Sequence, residues 1–99
     1  MYKLVFYNQG KVYELFCRKV ESSGLVGFVE ASELVFETER SVVVDPSEER
    51  LKEEFRDTRS LMLPMQSVVR IERVEKRGTA RIRDRATGDK VTPLPVDKR

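Results

Sequence analysis

The chain has 99 residues, 39% hydrophobic and 36% charged, with a formal net charge of +2, one cysteine and no histidine. That length makes one domain with a modest core, and no apolar run approaches the roughly 20 residues that a membrane span needs. The missing histidine removes the commonest general base, the commonest zinc ligand and the usual triad partner, while a lone Cys17 excludes an internal disulfide and a Cys/His metal cluster.

The opening residues lack a long apolar stretch and a small-residue cleavage site, so no signal peptide is expected, and a single cysteine fits a reducing cytoplasm. Residues 2–7 alternate, with Tyr2, Leu4 and Phe6 on one side and Lys3, Val5 and Tyr7 on the other. Both sets are largely apolar, which predicts a central strand. Asn8-Gln9-Gly10 predicts a turn, and residues 11–20 a second strand, so the two form a hairpin. Glu21-Ser22-Ser23-Gly24 predicts the next turn and residues 25–30 a third strand with a bulge at Gly27. Residues 31–33 are expected to turn the chain, and 34–37 with 41–44 to give one bent strand or two short ones.

Asp45-Pro46-Ser47-Glu48 carries the marks of a helix start: a cap, a proline at the first helical position and a glutamate where a capping box places it. Leu51 and Phe55 make a narrow apolar stripe, which predicts one surface helix over about 46–58. The apolar run 61–65 is interrupted by Pro64 and reads as a buried crossing between helix and strand. Residues 67–75 predict a strand, Arg77-Gly78 a turn, and 79–83 a last strand returning beside it. Residues 86–99, with two prolines and no periodicity, predict a flexible basic C-terminal tail outside a single domain of residues 1–85.

The fold expected from these elements is mainly β (α+β). It is a small SH3-like or Sm-like antiparallel barrel or half-barrel of about five or six strands with one inserted helix, since closure removes exposed edges. The segments YKLVFYNQGKVYELFCRKV, GFVEASELVF, EEFRDTRS and LPMQSVVRIERVEKRGTARI, spread over residues 2–83, together resemble a family of small bacterial proteins of about a hundred residues known as a domain of unknown function. The resemblance implies a compact bacterial, cytoplasmic domain and transfers no catalytic residue.

Charge is distributed unevenly. Residues 66–99 hold ten Lys/Arg against five Asp/Glu, and residues 1–65 nine against twelve. A small net charge therefore hides a dipolar chain. In 81–85, period 2 puts Arg81, Arg83 and Arg85 on one face and Ile82 on the other. With Arg70, Arg73, Lys76 and Arg77 on the neighbouring strand and turn, this basic C-terminal hairpin is a candidate nucleic-acid surface, because arginine forks on alternate residues can follow phosphates. The same pattern also describes a solvated edge whose arginines pair with Glu72, Glu75 and Asp84. All eight Phe and Tyr residues lie at or before Phe55, outside the basic third, and Tyr2, Phe6, Tyr7, Tyr13, Phe16 and Phe28 read first as core. Leu61, Met62 and Met65 are the candidate protein-interaction residues, since methionine-rich surfaces adapt to many shapes.

Three classes of function follow. The first is a non-enzymatic interaction or adaptor module, with a protein partner or self-association through an edge strand or the 61–65 patch. The second is a nucleic-acid binder using the arginines. The third, an enzyme working with carboxylates such as Glu30 and Glu33 alone, is set aside. No metal, small-molecule cofactor or membrane partner is expected: the sequence has no EF-hand loop, and no Lys-Ser/Thr pair follows Gly24 or Gly27 to make a phosphate loop.

Overall fold

Two strands, β1 (Tyr2–Asn8) and β2 (Lys11–Ser22), form the hairpin from which the rest is hung. Its loop is two residues long, and Gln9 and Gly10 take φ of 54° and 78°. Positive φ at both central positions is the turn whose twist matches that of paired strands, so Gly10 is where the sequence places the bend and Gln9 accepts the strain. The computed structural model describes residues 1–36 and 46–85. The remaining elements are β3 (Phe28–Val35), α1 (Pro46–Glu54), β4 (Ser60–Pro64), a short 3-10 turn (Met65–Ser67), β5 (Val68–Arg73) and β6 (Arg81–Asp84).

All pairings are antiparallel, in the order β4-β3-β2-β1-β5, with β6 also on β2. One edge of β2 carries β1. Its other edge is shared, with β6 along Lys11–Glu14 and β3 along Phe16–Ser22. A strand that hands its edge from one neighbour to another must bend, and the sheet curls into an open half-barrel in which β4 and β5 do not meet. The mainly β half-barrel with one helix is the architecture expected.

The concave face holds the core. Leu4, Leu15, Cys17, Ala31, Leu51, Ala80 and Ile82 are fully buried, with Phe6, Tyr13 and Leu63 nearly so. Each large apolar side chain sealed there contributes about 1.5–3 kcal/mol. Leu51 is the helix's contribution, with Phe55 beside it, as their spacing requires. The N-terminal end of α1 is clasped to β6. Ser47 Oγ accepts from the Ile82 N–H at 2.8 Å and donates to the Ile82 C=O at 3.3 Å, and Glu48 Oε2 accepts from the Ala80 N–H at 3.0 Å. These side chains satisfy the β6 backbone groups that point away from β2.

Several expectations need correction. The helix ends at Glu54 and runs on only as a turn, closed by a bond from the Thr58 N–H to the Phe55 C=O. The expected strand at 25–30 is a turn up to Gly27 (φ 83°), and β3 passes straight through 31–33. Glu33 takes φ 61° within the strand, which is what the turn-like sequence there registers. Residues 61–65 are an edge strand on β3 rather than a buried crossing, with Pro64 at its end where no ladder N–H is missed. Finally, β5 and β6 do not form a hairpin: β5 pairs with β1 and β6 with β2, so two strands lie between them. Gly78 in that crossover lies against the Phe16 ring, where an added Cβ would come within 3.0 Å of Cζ. The 41–44 strand, the Asp45 cap and the 86–99 tail lie outside the described residues.

Candidate functional site

The convex face collects the basic residues. The ladder puts Arg81 opposite Glu14 and Arg83 opposite Val12, while Ile82 is sealed on the concave side. Lys3, Val5 and Tyr7 lie on the same convex face of β1, and Arg70 and Glu72 on that of β5. Because β1 and β2 separate β5 from β6, Arg70 and Arg83 stand three strand spacings apart, about 14 Å. The patch is four strands wide, not two. A shallow groove of about 310 Å³ runs between them, lined by Lys3, Tyr7, Glu14, Arg70, Glu72 and Arg83.

Most of these cations are already engaged. Arg83 donates to the carboxylate of Glu14, which is 8% exposed and also faces Lys3 Nζ at 3.8 Å. Arg70 pairs with Glu72 at 2.7 Å. Arg85 lies over the Tyr7 ring, 4.2 Å from its centroid; Arg73 is not part of this face but shares the Ile71 side of β5, 5.7 Å from the Tyr2 ring centroid and donating to its hydroxyl at 3.4 Å. Lys76 and Arg77 sit exposed on the crossover, and Arg81 is exposed on β6. Tyr7, read first as core, is half-exposed beside the arginines.

A second surface is apolar. At one end of the half-barrel lies a groove of about 470 Å³ lined by Val20, Leu25, Val26, Phe28, Met65 and Ile71. Four of these side chains stand in water: Leu25 is 53% exposed, Val26 99%, Met65 58% and Ile71 37%. The loop that carries Leu25 and Val26 is pinned. The Met65 N–H donates to the Gly27 C=O at 2.8 Å, the Phe28 N–H to the Leu25 C=O at 3.2 Å, and the Leu25 N–H to Ser23 Oγ at 3.0 Å. Of the residues singled out from sequence, Met65 belongs to this groove. Met62 is exposed on β4 with the Ser23 hydroxyl donating to its sulfur at 3.7 Å, and Leu61 turns inward against the core. Leu25, Val26 and Ile71 went unnoticed. For Leu25 and Val26 the signal was an apolar pair inside a turn flanked by Gly24 and Gly27, where solvent-facing turns ordinarily carry polar residues; Ile71 gave none.

Among the described residues two groups are electrostatically perturbed, both inside the core. Burial pushes the Tyr13 phenol up, and the Glu54 carboxylate beside it adds to the shift; the hydroxyl donates to Glu54 at 3.2 Å. Burial likewise raises the Cys17 thiol, opposite to what a reactive cysteine needs. Among the described residues no three of His, Cys, Asp and Glu are grouped to hold a metal ion, and no helix is long and apolar enough to cross a membrane.

Comparison with known proteins agrees with the resemblance. The family model described as Domain of unknown function (DUF1820) matches residues 1–96, and the chain belongs to that family. No curated protein and no solved structure matches it.

Proposed function

We propose that this DUF1820 domain is a non-enzymatic, cytoplasmic interaction module and that the apolar groove at the open end of its half-barrel is the surface that receives a protein partner. One observation carries the reading: Leu25, Val26, Met65 and Ile71 stand exposed around a single groove, and the loop that carries Leu25 and Val26 has its backbone bonded in place. A contiguous exposed apolar patch on a small domain marks an interaction site, and a loop fixed beforehand lowers the ordering cost of binding. The chemistry suits an apolar protein segment.

Nucleic-acid binding through the convex face is the second reading, favoured by the alignment of Arg81 and Arg83 along one side of β6, with Arg85 just past its end. It ranks lower because Glu14 and Glu72 sit within the same face and occupy Arg83 and Arg70, and because aromatic rings hold Arg73 and Arg85. A stacking platform for bases needs a bare ring, and Tyr7 already carries a guanidinium.

One pair of measurements separates them. A photo-crosslinking residue at position 26, introduced into the chain in its own cell, is expected to give a discrete protein adduct, reduced at least roughly tenfold by Met65→Asp, the loss expected when an interface anchor of about 2 kcal/mol is removed. Binding to labelled single-stranded RNA, single-stranded DNA and duplex DNA across a salt series is expected to be weak and indifferent to Arg81/Arg83/Arg85→Ala. Micromolar binding at about 150 mM salt, with a log–log slope near ~3 that falls in the triple variant, would overturn the groove in favour of a phosphate-tracking face.

A further inference from the structure

Among the described residues β5 is a terminal strand with β1 as its one neighbour, and the direction of its outer backbone groups can be read from that pairing. The Val74 N–H donates to the Met1 C=O at 2.9 Å, and the ladder continues through Glu72 opposite Lys3 and Arg70 opposite Val5. In an antiparallel ladder, alternate residues turn both backbone groups to the same side. Positions 70, 72 and 74 therefore face β1, and Ile71 and Arg73 present theirs at the open edge. A register shift beside Val69 interrupts the ladder before Arg70, so the straight part of the edge is 70–73.

This short edge is complementary to itself. Pairing two copies about an axis through Ile71 makes Ile71 and its symmetry mate exchange the two free backbone bonds. The same register sets Arg70 of each copy opposite Glu72 of the other, as the pair whose side chains lie closest. Arg70 and Glu72 already contact each other along the strand at 2.7 Å, so pairing would close an alternating square of four charges on the convex face. On the concave side the two Ile71 side chains would meet, and Ile71 lines the apolar groove. The two grooves would then adjoin across the axis. The other open strand, β4, offers only Ser60-Leu61-Met62-Leu63-Pro64, with no charge to select a register.

We propose that the domain self-associates as a two-fold dimer through antiparallel pairing of the β5 edges about Ile71, with reciprocal Arg70–Glu72 contacts. A second copy of the chain is then the partner that adjoins the groove; that assignment of the occupant rests on the reading of the groove as a protein-binding surface, while the edge contact itself goes beyond it. An isologous contact of this kind closes on itself and does not propagate into a filament.

The test is a charge-swap cycle followed by sedimentation equilibrium over about 1–200 μM chain, a range that brackets the weak dimer expected of a short edge. Arg70→Glu places like charges opposite each other twice by symmetry, as does Glu72→Arg, and each is expected to raise the dimer dissociation constant at least roughly tenfold. The double variant R70E/E72R restores opposite charges in the same register and is expected to return to within about threefold of the wild type. Melting temperatures taken at a chain concentration low enough that every variant is monomeric should stay together, because both side chains are solvent-accessible, which separates lost association from lost folding.

A wild type that is monomeric across the range overturns the proposal, as does a dimer indifferent to both reversals. Rings or larger assemblies, the product of β4 pairing with β5, also overturn it. A monomer that still crosslinks to a different protein through position 26 removes the second copy and leaves the groove reading standing. Rescue in the double variant combined with no adduct of any kind at position 26 keeps the edge contact and removes the groove.

Discussion

Tyr13 joins three layers of the molecule through one ring. It stacks on Phe6 with centroids 5.0 Å apart, meets Phe55 edge-on at 6.1 Å, and donates its hydroxyl to Glu54 on the helix. Both its burial and the Glu54 charge oppose ionisation, so the folded phenol holds its proton above the usual pKa of about 10. The sign of the linkage follows. The contribution is fully present below the unfolded pKa and is lost as pH rises through the higher folded one. Tyr13→Phe should cost about 1 kcal/mol near neutrality, from the lost bond to Glu54. That deficit should shrink as pH passes about 10, because the variant has no phenol to ionise there. Urea midpoints for the two proteins at neutral and alkaline pH check this, and a deficit that stays constant or grows would contradict it. The sequence marked Tyr13 as a core residue among its aromatics, but its helix partner was out of reach because only the fold joins positions 13 and 54.

At the scale of elements, the clasp between α1 and β6 does what a further strand would do. Ser47 is 1% exposed and Glu48 5%, and both spend side-chain oxygens on backbone N–H groups that water cannot reach. Ser47→Ala leaves the Ile82 N–H buried without this acceptor and should lower stability by about 1–3 kcal/mol. Ser47→Thr, which keeps the hydroxyl, should recover part of it. Denaturant unfolding with an unchanged m value is the measurement. This element scale is also where legibility divides. The first hairpin and the helix start were readable because local chemistry dictates them: a two-residue turn with Gly10, and a proline with a glutamate placed three residues after Asp45. The role of Ser47 and Glu48 was not readable, since residues suited to a helix N-terminus here serve a strand more than thirty positions away. Residues 31–33 misled for a different reason. A positive φ at Glu33 changes which side chains face the core, so Ala31 and Leu34 both reach it without any turn.

Across the whole molecule, the first and last described strands share one neighbour, β2. Ala80 and Ile82 come from the C-terminal end of the described chain and lie fully buried among Leu4, Leu15 and Leu51. The core is therefore complete only when β6 is in place. Ending the chain after Gly78 should abolish cooperative unfolding, because it removes the Ile82 and Ala80 side chains and strips Ser47 and Glu48 of their β6 partners at once. Thermal melting by near-ultraviolet circular dichroism reads this directly, and a sharp transition in the shortened chain would refute it. The charge split visible in the sequence reflects this topology only in part. Sequence proximity suggested that 70–77 and 81–85 form one basic hairpin. The fold inserts β1 and β2 between them, and with those strands come Glu14 and Tyr7, which engage Arg83 and Arg85. The apolar groove was less legible still. It draws Val20, Val26, Met65 and Ile71 from four separated segments, and no periodicity connects them.

The clasp on β6 has a bearing on solubility. A sheet whose outermost backbone is bare invites other chains to add to it, and small β proteins remain in solution by blocking such places. Here Ser47 closes the outward groups of Ile82 on β6 and Glu48 that of Ala80 just before it, leaving, among the described strands, β4, which ends in a proline, and β5, which is short and interrupted by a register shift. Losing the clasp would therefore do more than weaken the fold. It would uncover an additional templating surface in a state that is still largely native, so deposits would form from folded protein well below the melting temperature.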